Sequence, residues 1–270
     1  MRQAPGEKIG EGATADIHAW APGQVLKLFK ASLPRFIGEH EARMTRAAFA
    51  AGAPAPEVLD EVTIDGRLGI VLPRLDGPTL LQSLLSGAIS SEDGGAILAA
   101  LYRAVHATPP PAEAPSLREW CQSMSQISDG MPAHIVAGVF SLVERLPPGD
   151  GLCHADLHPG NVIMTAEGPR IIDWVAMVRA PAALDLARSH LTLHELVHGP
   201  DDVDPTPPRA LNAALLANYA RAAGVSVAAL ETAMTPYLPL LRALVLAEQI
   251  SPAQRARLIQ SVEAAFAVEG

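Results

Sequence analysis

The chain has 270 residues, 49% hydrophobic and 18% charged, which suffices for one large domain or two unequal lobes and excludes a disordered chain. Its net charge of −9 counts against nonspecific binding to nucleic acid or anionic lipid, and no apolar run reaches the roughly 20 residues of a membrane span. Two cysteines, Cys121 and Cys153, make no disulfide framework, and the opening MRQAPGEKIG lacks the apolar core of an export signal, so a cytoplasmic protein is expected.

Residues 5–30 read as strand, Gly-containing turn, strand, strand, with Gly10-Glu11-Gly12 in the first turn and Ala21-Pro22-Gly23 in the second. A helix is predicted over 34–51, opened by Pro34 and stopped by Gly52. Pro54 and Pro56 force an extended link, and two strands, 58–64 and 67–72, are joined by the hairpin turn Asp65-Gly66. Leu75-Asp76-Gly77-Pro78 breaks the pattern. Beyond it, the segments 79–86, 92–107, 115–128, 132–146, 183–197, 207–223, 226–247 and 252–267 follow helical periods, with one strand-rich interruption at 152–173. The Pro-rich pieces 108–115 and 200–208 read as loops. A strand-rich first quarter and a helical remainder predict an α+β protein of two lobes: 1–73, a hinge at 74–78, and 79–270.

The strongest chemical signal is Cys153-His154-Ala155-Asp156-Leu157-His158-Pro159-Gly160-Asn161-Val162-Ile163-Met164, followed after a polar turn by Ile171-Ile172-Asp173-Trp174. Pro159-Gly160 turns the loop back sharply and brings Asn161 near Asp156. The hairpin over 162–172 then returns Asp173 to the same place. Two carboxylates and an amide oxygen converge there, the hard-oxygen set a magnesium ion takes, with Asp156 left over to orient a hydroxyl and accept its proton. A packing histidine, two turn residues and a helix cap are the plain alternative. It is accepted for His154, and His158 also reads best as a turn or packing residue.

This loop resembles that of the protein-kinase-like superfamily, and more closely its aminoglycoside phosphotransferase branch, whose motif runs like H-G-D-x-H-P-G-N and then I-D-W. The matching residues are His154, Asp156, His158, Pro159, Gly160 and Asn161, then Ile172, Asp173 and Trp174. The resemblance implies the two-lobed protein-kinase-like fold, with a small β-rich N-terminal lobe and a larger, mostly helical C-terminal lobe. It implies a phosphotransferase that moves the terminal phosphoryl group of ATP or GTP, with magnesium, onto a hydroxyl of a small molecule. Asn161 and Asp173 would hold the metal and Asp156 would be the catalytic base, while the Asp185-Leu186-Ala187 pattern holds the loop.

Lys27 sits inside the apolar strand VLKLF, in a chain with only two other lysines, Lys8 and Lys30. A buried ammonium is costly unless paired. The family precedent is a lysine on the α- and β-phosphates paired with a helix glutamate, which places Glu41 beside it and leaves Glu39 on the opposite helix side. A strand-end lysine reaching for water is the alternative. Gly10 and Gly12 either hold backbone N–H groups against phosphates or simply make a hairpin, because Ala15 stands where a kinase-type loop has its third glycine.

Two other readings carry less. In a protein kinase a regulatory segment follows the metal-binding Asp, but here 173–188 is short and has no Ser, Thr or Tyr, and Ala155 replaces the Arg of an H-R-D loop. A catalytically inactive nucleotide-binding scaffold would usually have lost the base, the metal Asp or the Lys, and all three are present. The acceptor itself stays open among aminoglycosides, sugars and amino alcohols. His194, Glu195, His198, Asp201, Asp202 and Asp204 form either a solvated loop or a patch suited to a cationic acceptor.

Overall fold

The computed structural model describes residues 4–127, 131–195, 204, 206–247 and 252–268. The N-terminal part is a five-stranded antiparallel sheet of β1 (Lys8–Glu11), β2 (Ala15–Ala19), β3 (Gln24–Phe29), β4 (Asp60–Ile64) and β5 (Arg67–Pro73), in the order β1-β2-β3-β5-β4. Lys27 lies opposite Ile17 on one side and Ile70 on the other, so it occupies the middle of the sheet. Strand alternation turns Leu26 and Leu28 to one face, where they pack with Val71. Phe29, with Ala42, Leu68 and Ile70, packs on the other face, under helix α1 (Arg35–Ala50). A Cβ added to Gly38 would lie 2.7 Å from the Phe29 ring, so the helix sits close on the sheet.

After β5 the chain passes through residues 74–78 into α2 (Leu80–Leu85), which Thr79 and Gln82 cap reciprocally. Gly77 has φ of 150°, and a Cβ there would lie 1.9 Å from the Met164 carbonyl oxygen; only glycine allows this approach. Pro78 O also accepts the Met164 N–H at 2.9 Å. The connection between the two parts is thereby fastened to the strand that carries Met164.

The larger part is helical: α3 (Ser91–Ala107), α4 (Leu117–Ile127), α5 (Ala133–Val143), α6 (Ala182–His190), α7 (Thr206–Ala223), α8 (Val227–Met234), α9 (Leu238–Val245) and α10 (Pro252–Val268). One continuous apolar core, including Tyr102, Leu98, Leu152, Trp174 and Tyr237, joins them. Two short antiparallel pairs are set into it: β6 (Gly151–Cys153) with β9 (Val178–Ala180), and β7 (Val162–Thr165) with β8 (Gly168–Ile171). No single helix among the described residues is long and apolar enough to cross a membrane. The chain has the small β-rich part and the larger helical part expected from its sequence.

Three details differ from the sequence reading. The helix predicted over 183–197 is α-helical to His190 and then widens into a π-helical turn, Leu191–Glu195. The helix predicted over 226–247 breaks at a 3-10 turn, Thr235–Tyr237, because Pro236 and Pro239 cannot donate to the preceding turn. Strand β9 was not predicted; three residues are too few for periodicity to show.

Candidate active site

The loop from His154 to Asn161 leaves β6 and enters β7. Its first residues are fixed from below by Asp185 of α6. That fully buried carboxylate accepts the His154 N–H at 2.9 Å and the Ala155 N–H at 2.7 Å. Ala155 sits at φ of 61°, a strained position for a residue with a Cβ, and the paired bonds to Asp185 hold it there. Ser189, one turn along α6, donates to Leu157 O at 3.1 Å, as does the Tyr102 hydroxyl from α3 at 2.9 Å.

His154 is buried, with its ring edge-on to Trp174 at 4.8 Å between centroids. Nε2 faces Ile172 O at 3.2 Å and must donate, while Nδ1 accepts the Asp156 N–H at 3.2 Å. One ring thus ties the residue before Asp173 to Asp156 in a single neutral tautomer. Burial lowers its pKa, against the pull of the Asp185, Asp156 and Asp173 carboxylates around it. Both ring nitrogens are thus taken up by the loop and hairpin backbone.

Asn161 closes the loop. Its Nδ2 donates to Asp156 O at 3.0 Å, which directs the amide oxygen elsewhere, and its own carbonyl accepts the Ile172 N–H at 2.9 Å. With Val162 opposite Ile171 in the hairpin, Asn161 and Asp173 flank the same open end. Asp173 adopts the left-handed conformation, φ 65° and ψ 60°, which Asp tolerates better than bulkier residues. His158 caps the short turn Pro159–Asn161 by accepting the Gly160 N–H at 3.1 Å.

The sheet contributes the other side. Lys27 Nζ hydrogen-bonds Glu41 Oε1 on α1 and lies 3.8 Å from Asp173 Oδ1. Burial depresses the ammonium, but the Glu41 and Asp173 carboxylates outweigh it and leave the Lys27 pKa above its ordinary value. Burial, together with Asp173, raises Glu41, and Lys27 opposes the rise. His40, beside Glu41 on α1, bonds Val175 O at 3.0 Å, which fastens the helix to the chain just after Asp173.

The structure therefore gathers Lys27, Glu41 and Asp173 into one cluster and joins Asp156 and Asn161 to it through the loop backbone. Gly10 lies in β1 opposite Ile17, and the Gly12 N–H closes the first hairpin on Ala15 O at 2.8 Å. That bond favours the plain-hairpin reading for Gly12. Asp204 accepts the Thr206 N–H at 2.9 Å at the start of α7, and Glu195 pairs with Arg242, whereas His198, Asp201 and Asp202 lie outside the described residues.

Sequence reasoning missed the partners behind the loop. Arg188 Nη2 lies 3.1 Å from Asp156 Oδ1. The signal was available: Asp185, Arg188 and Ser189 are three and four positions apart and share one helix face. His106 bridges Asp185 (3.2 Å) and the Tyr219 hydroxyl (2.8 Å). His106, Cys153 and Asp185 stand within metal-ligand distance of one another, but both Asp185 oxygens already hold N–H groups and burial pushes the Cys153 thiol far up. His106 and Asp185 thereby brace the loop from behind, while the Cys153 thiol faces the Ala180 carbonyl.

The donor set at the open end, a carboxylate at Asp173 and an amide oxygen at Asn161 with Asp156 nearby, fits a hard divalent cation such as magnesium that keeps water and phosphate as its remaining ligands. A model of the phosphotransferase enzyme family matches residues 9–225. The chain belongs to that family. It is a kinase-type phosphotransferase. No curated protein matches the chain. Among solved structures, this phosphotransferase is similar to a thermostable mutant of an aminoglycoside phosphotransferase in ternary complex with ADP and hygromycin B (17% identity, 96% of this chain and 92% of that one, TM-score 0.60). It is similar to an amicoumacin kinase in complex with AMP-PNP and Ca2+ (13%, 96% and 87%, TM-score 0.64). A third is a choline/ethanolamine kinase family protein from Mesorhizobium loti (18%, 97% and 87%, TM-score 0.57). At these identities the likeness shows the fold.

Proposed function

We propose that this phosphotransferase transfers the terminal phosphoryl group of ATP or GTP, with magnesium, to a hydroxyl of a small molecule. The observation that carries the reading is the convergence of loop and hairpin. The Asn161–Ile172 backbone bond sets Asp173 beside the Asp156 loop, and Lys27 reaches Asp173 from the sheet while paired with Glu41. The nucleotide would lie between the lobes, 1–73 and 79–270, with its base against the 74–78 connection.

In this reading Lys27, held charged by Glu41, orients the α- and β-phosphates. Asn161 and Asp173 would hold the metal, which when bound neutralises charge on the phosphates. Asp156 aligns the acceptor hydroxyl and takes its proton as the acceptor oxygen bonds to the γ-phosphorus. The bond from that phosphorus to the bridging oxygen breaks, and the nucleoside diphosphate leaves. Catalysis is mainly positioning and charge compensation. Whether Gly10 adds a backbone contact to the phosphates depends on the first hairpin, where Gly12 already bonds internally.

The acceptor is a hydroxylated metabolite or antibiotic; similarity to enzymes described with hygromycin B and amicoumacin and to a choline/ethanolamine kinase family protein supports one that carries amino groups. The −9 net charge is compatible with such a cation. The two described cysteines are free and buried, in keeping with a cytoplasmic setting. The test is nucleotide consumption with ATP and with GTP against a panel of aminoglycosides, sugars and amino alcohols. Metal-dependent turnover with one panel class, lost in Asp156→Asn, is the expected result; turnover unaffected by that substitution would defeat the reading.

A further inference from the structure

Helix α6 reads four consecutive loop residues. Asp185 takes the N–H groups of 154 and 155, and Ser189 holds the carbonyl of 157. The residue between them on that face, Arg188, meets the only side chain in the series with proposed chemistry: Nη2 lies 3.1 Å from Asp156 Oδ1. The Arg188 side chain is 12% exposed and that of Asp156 is 35% exposed, so the pair sits at the rim of the open site with the cation on the inner side.

We propose that Arg188 is a positioning residue that aims the Asp156 carboxylate at the acceptor hydroxyl. The proposal rests on the functional reading above and deepens it. The torsion that turns an Asp carboxylate is broad and nearly two-fold, so nothing intrinsic decides which oxygen faces the acceptor or at what tilt. The backbone around Asp156 is fixed by the His154 ring and by Asn161, but those bonds reach its N–H and its carbonyl, not its carboxylate. The charge-assisted contact from Arg188 to Oδ1 supplies the missing restraint and leaves Oδ2 to receive the hydroxyl proton. A guanidinium suits this task because it keeps its protons at any working pH and cannot take the acceptor's proton itself. In phosphoryl transfer, aim matters more than base strength, and a displacement of about 1 Å can cost on the order of 100-fold in rate.

The alternative is that Arg188 merely braces α6 against the loop. The two roles separate in kinetics. Arg188→Ala, Arg188→Lys, Asp156→Asn and the Asp156→Asn/Arg188→Ala pair are assayed for transfer from γ-labelled ATP and GTP to kanamycin, hygromycin B, choline and glucose. Affinity for ADP with magnesium is measured by calorimetry, and a crystal structure of Arg188→Ala is determined. Positioning predicts a kcat loss of about 10- to 100-fold in Arg188→Ala with nucleotide affinity unchanged. It also predicts partial recovery in Arg188→Lys or with added guanidinium at non-denaturing concentration, and no further loss when Arg188→Ala is placed on Asp156→Asn. Parent-like kcat in Arg188→Ala, or a loss that multiplies with that of Asp156→Asn, overturns the proposal alone. Parent-like transfer by Asp156→Asn overturns the functional reading and this proposal with it. If none of the four acceptors is used, the crystal structure decides: a displaced or rotated Asp156 carboxylate supports positioning, and one that keeps its orientation overturns it.

Discussion

The two sides of the candidate site are held by different forces. On the sheet side, Lys27, Glu41 and Asp173 come from a strand, a helix and a hairpin end far apart in sequence, and charge holds them together. On the loop side, Asp185, His154, Ser189 and Tyr102 hold residues 154–157 by buried hydrogen bonds, most of them to backbone. The first arrangement depends on the balance of charge around it. The second is built not to move. In the proposed function, a base held rigidly would stand beside a charged cluster that receives phosphate and metal.

The largest expected effects test whether the division of labour holds. Asp156→Asn should lower kcat by about 100-fold or more while leaving nucleotide affinity near that of the parent, read by steady-state kinetics beside calorimetry. Asp173→Ala should instead remove the magnesium dependence of nucleotide binding; calorimetric traces that still change on adding magnesium would dissolve the sheet-side assignment.

Stability should separate the two sides as well. Asp185→Ala strands two buried N–H groups and removes a partner of His106, and should cost about 3 kcal/mol in denaturant unfolding. Lys27→Met removes a buried charge whose partner Glu41 can take up a proton, since burial and Asp173 already raise its pKa. Its unfolding midpoint should therefore move much less than that of Asp185→Ala, even though its nucleotide affinity falls. Equal stability losses in the two variants would mean that the cluster is as structural as the brace.

How much of this was readable beforehand follows the same line. Asp156, Asn161 and Asp173 stand in an order that betrays them, because a Pro-Gly turn and a hairpin are local events in sequence. Lys27 stood out because its strand is otherwise apolar, and Glu41 because the family resemblance pairs such a lysine with a helix glutamate eleven positions before Gly52. Behind the loop only Asp185 was read; Arg188 shares its helix face, but its target does not show in sequence. Arg188, His106 and His40 find Asp156, Asp185 and Val175 only through tertiary packing. The break at Pro236 was legible and overlooked; the π-turn at Leu191–Glu195 was not, since one extra residue in a turn hardly disturbs a helical period.

The pH dependence of unfolding sharpens the contrast by smaller amounts. His154 has its folded pKa depressed, chiefly by burial, so the unfolded chain binds the proton more readily. Its contribution is present above about 6.5 and is lost as pH falls from there through the lower folded value. His40 and His190, also depressed chiefly by burial, act in the same direction. Lys27 has a raised folded pKa; its contribution is intact below about 10.5 and disappears as pH rises through the folded value. The contribution of His154 should thus be lost in acid and that of Lys27 in alkali. Denaturant unfolding across the pH range should show a shallower acid limb for His154→Gln and a shallower alkaline limb for Lys27→Met; limbs unchanged from the parent would remove these residues from the linkage.

The smallest effect concerns the first hairpin, where two readings of the glycines remain in competition. A Cβ on Gly12 would meet Ala15 O at 3.5 Å, an ordinary contact, and one on Gly10 would meet Ile17 at the same distance. Neither position needs glycine for the fold. If Gly12 only closes a hairpin, Gly12→Ala should leave stability and the nucleotide KM within about twofold of the parent, because the alanine N–H still reaches Ala15 O. If a phosphate approaches that backbone, the added methyl stands in its way and the nucleotide KM rises with stability unchanged. The bond already made by Gly12 favours the first outcome, and a KM increase in Gly12→Ala alone, absent in Gly10→Ala, would shift part of phosphate binding from Lys27 to the turn.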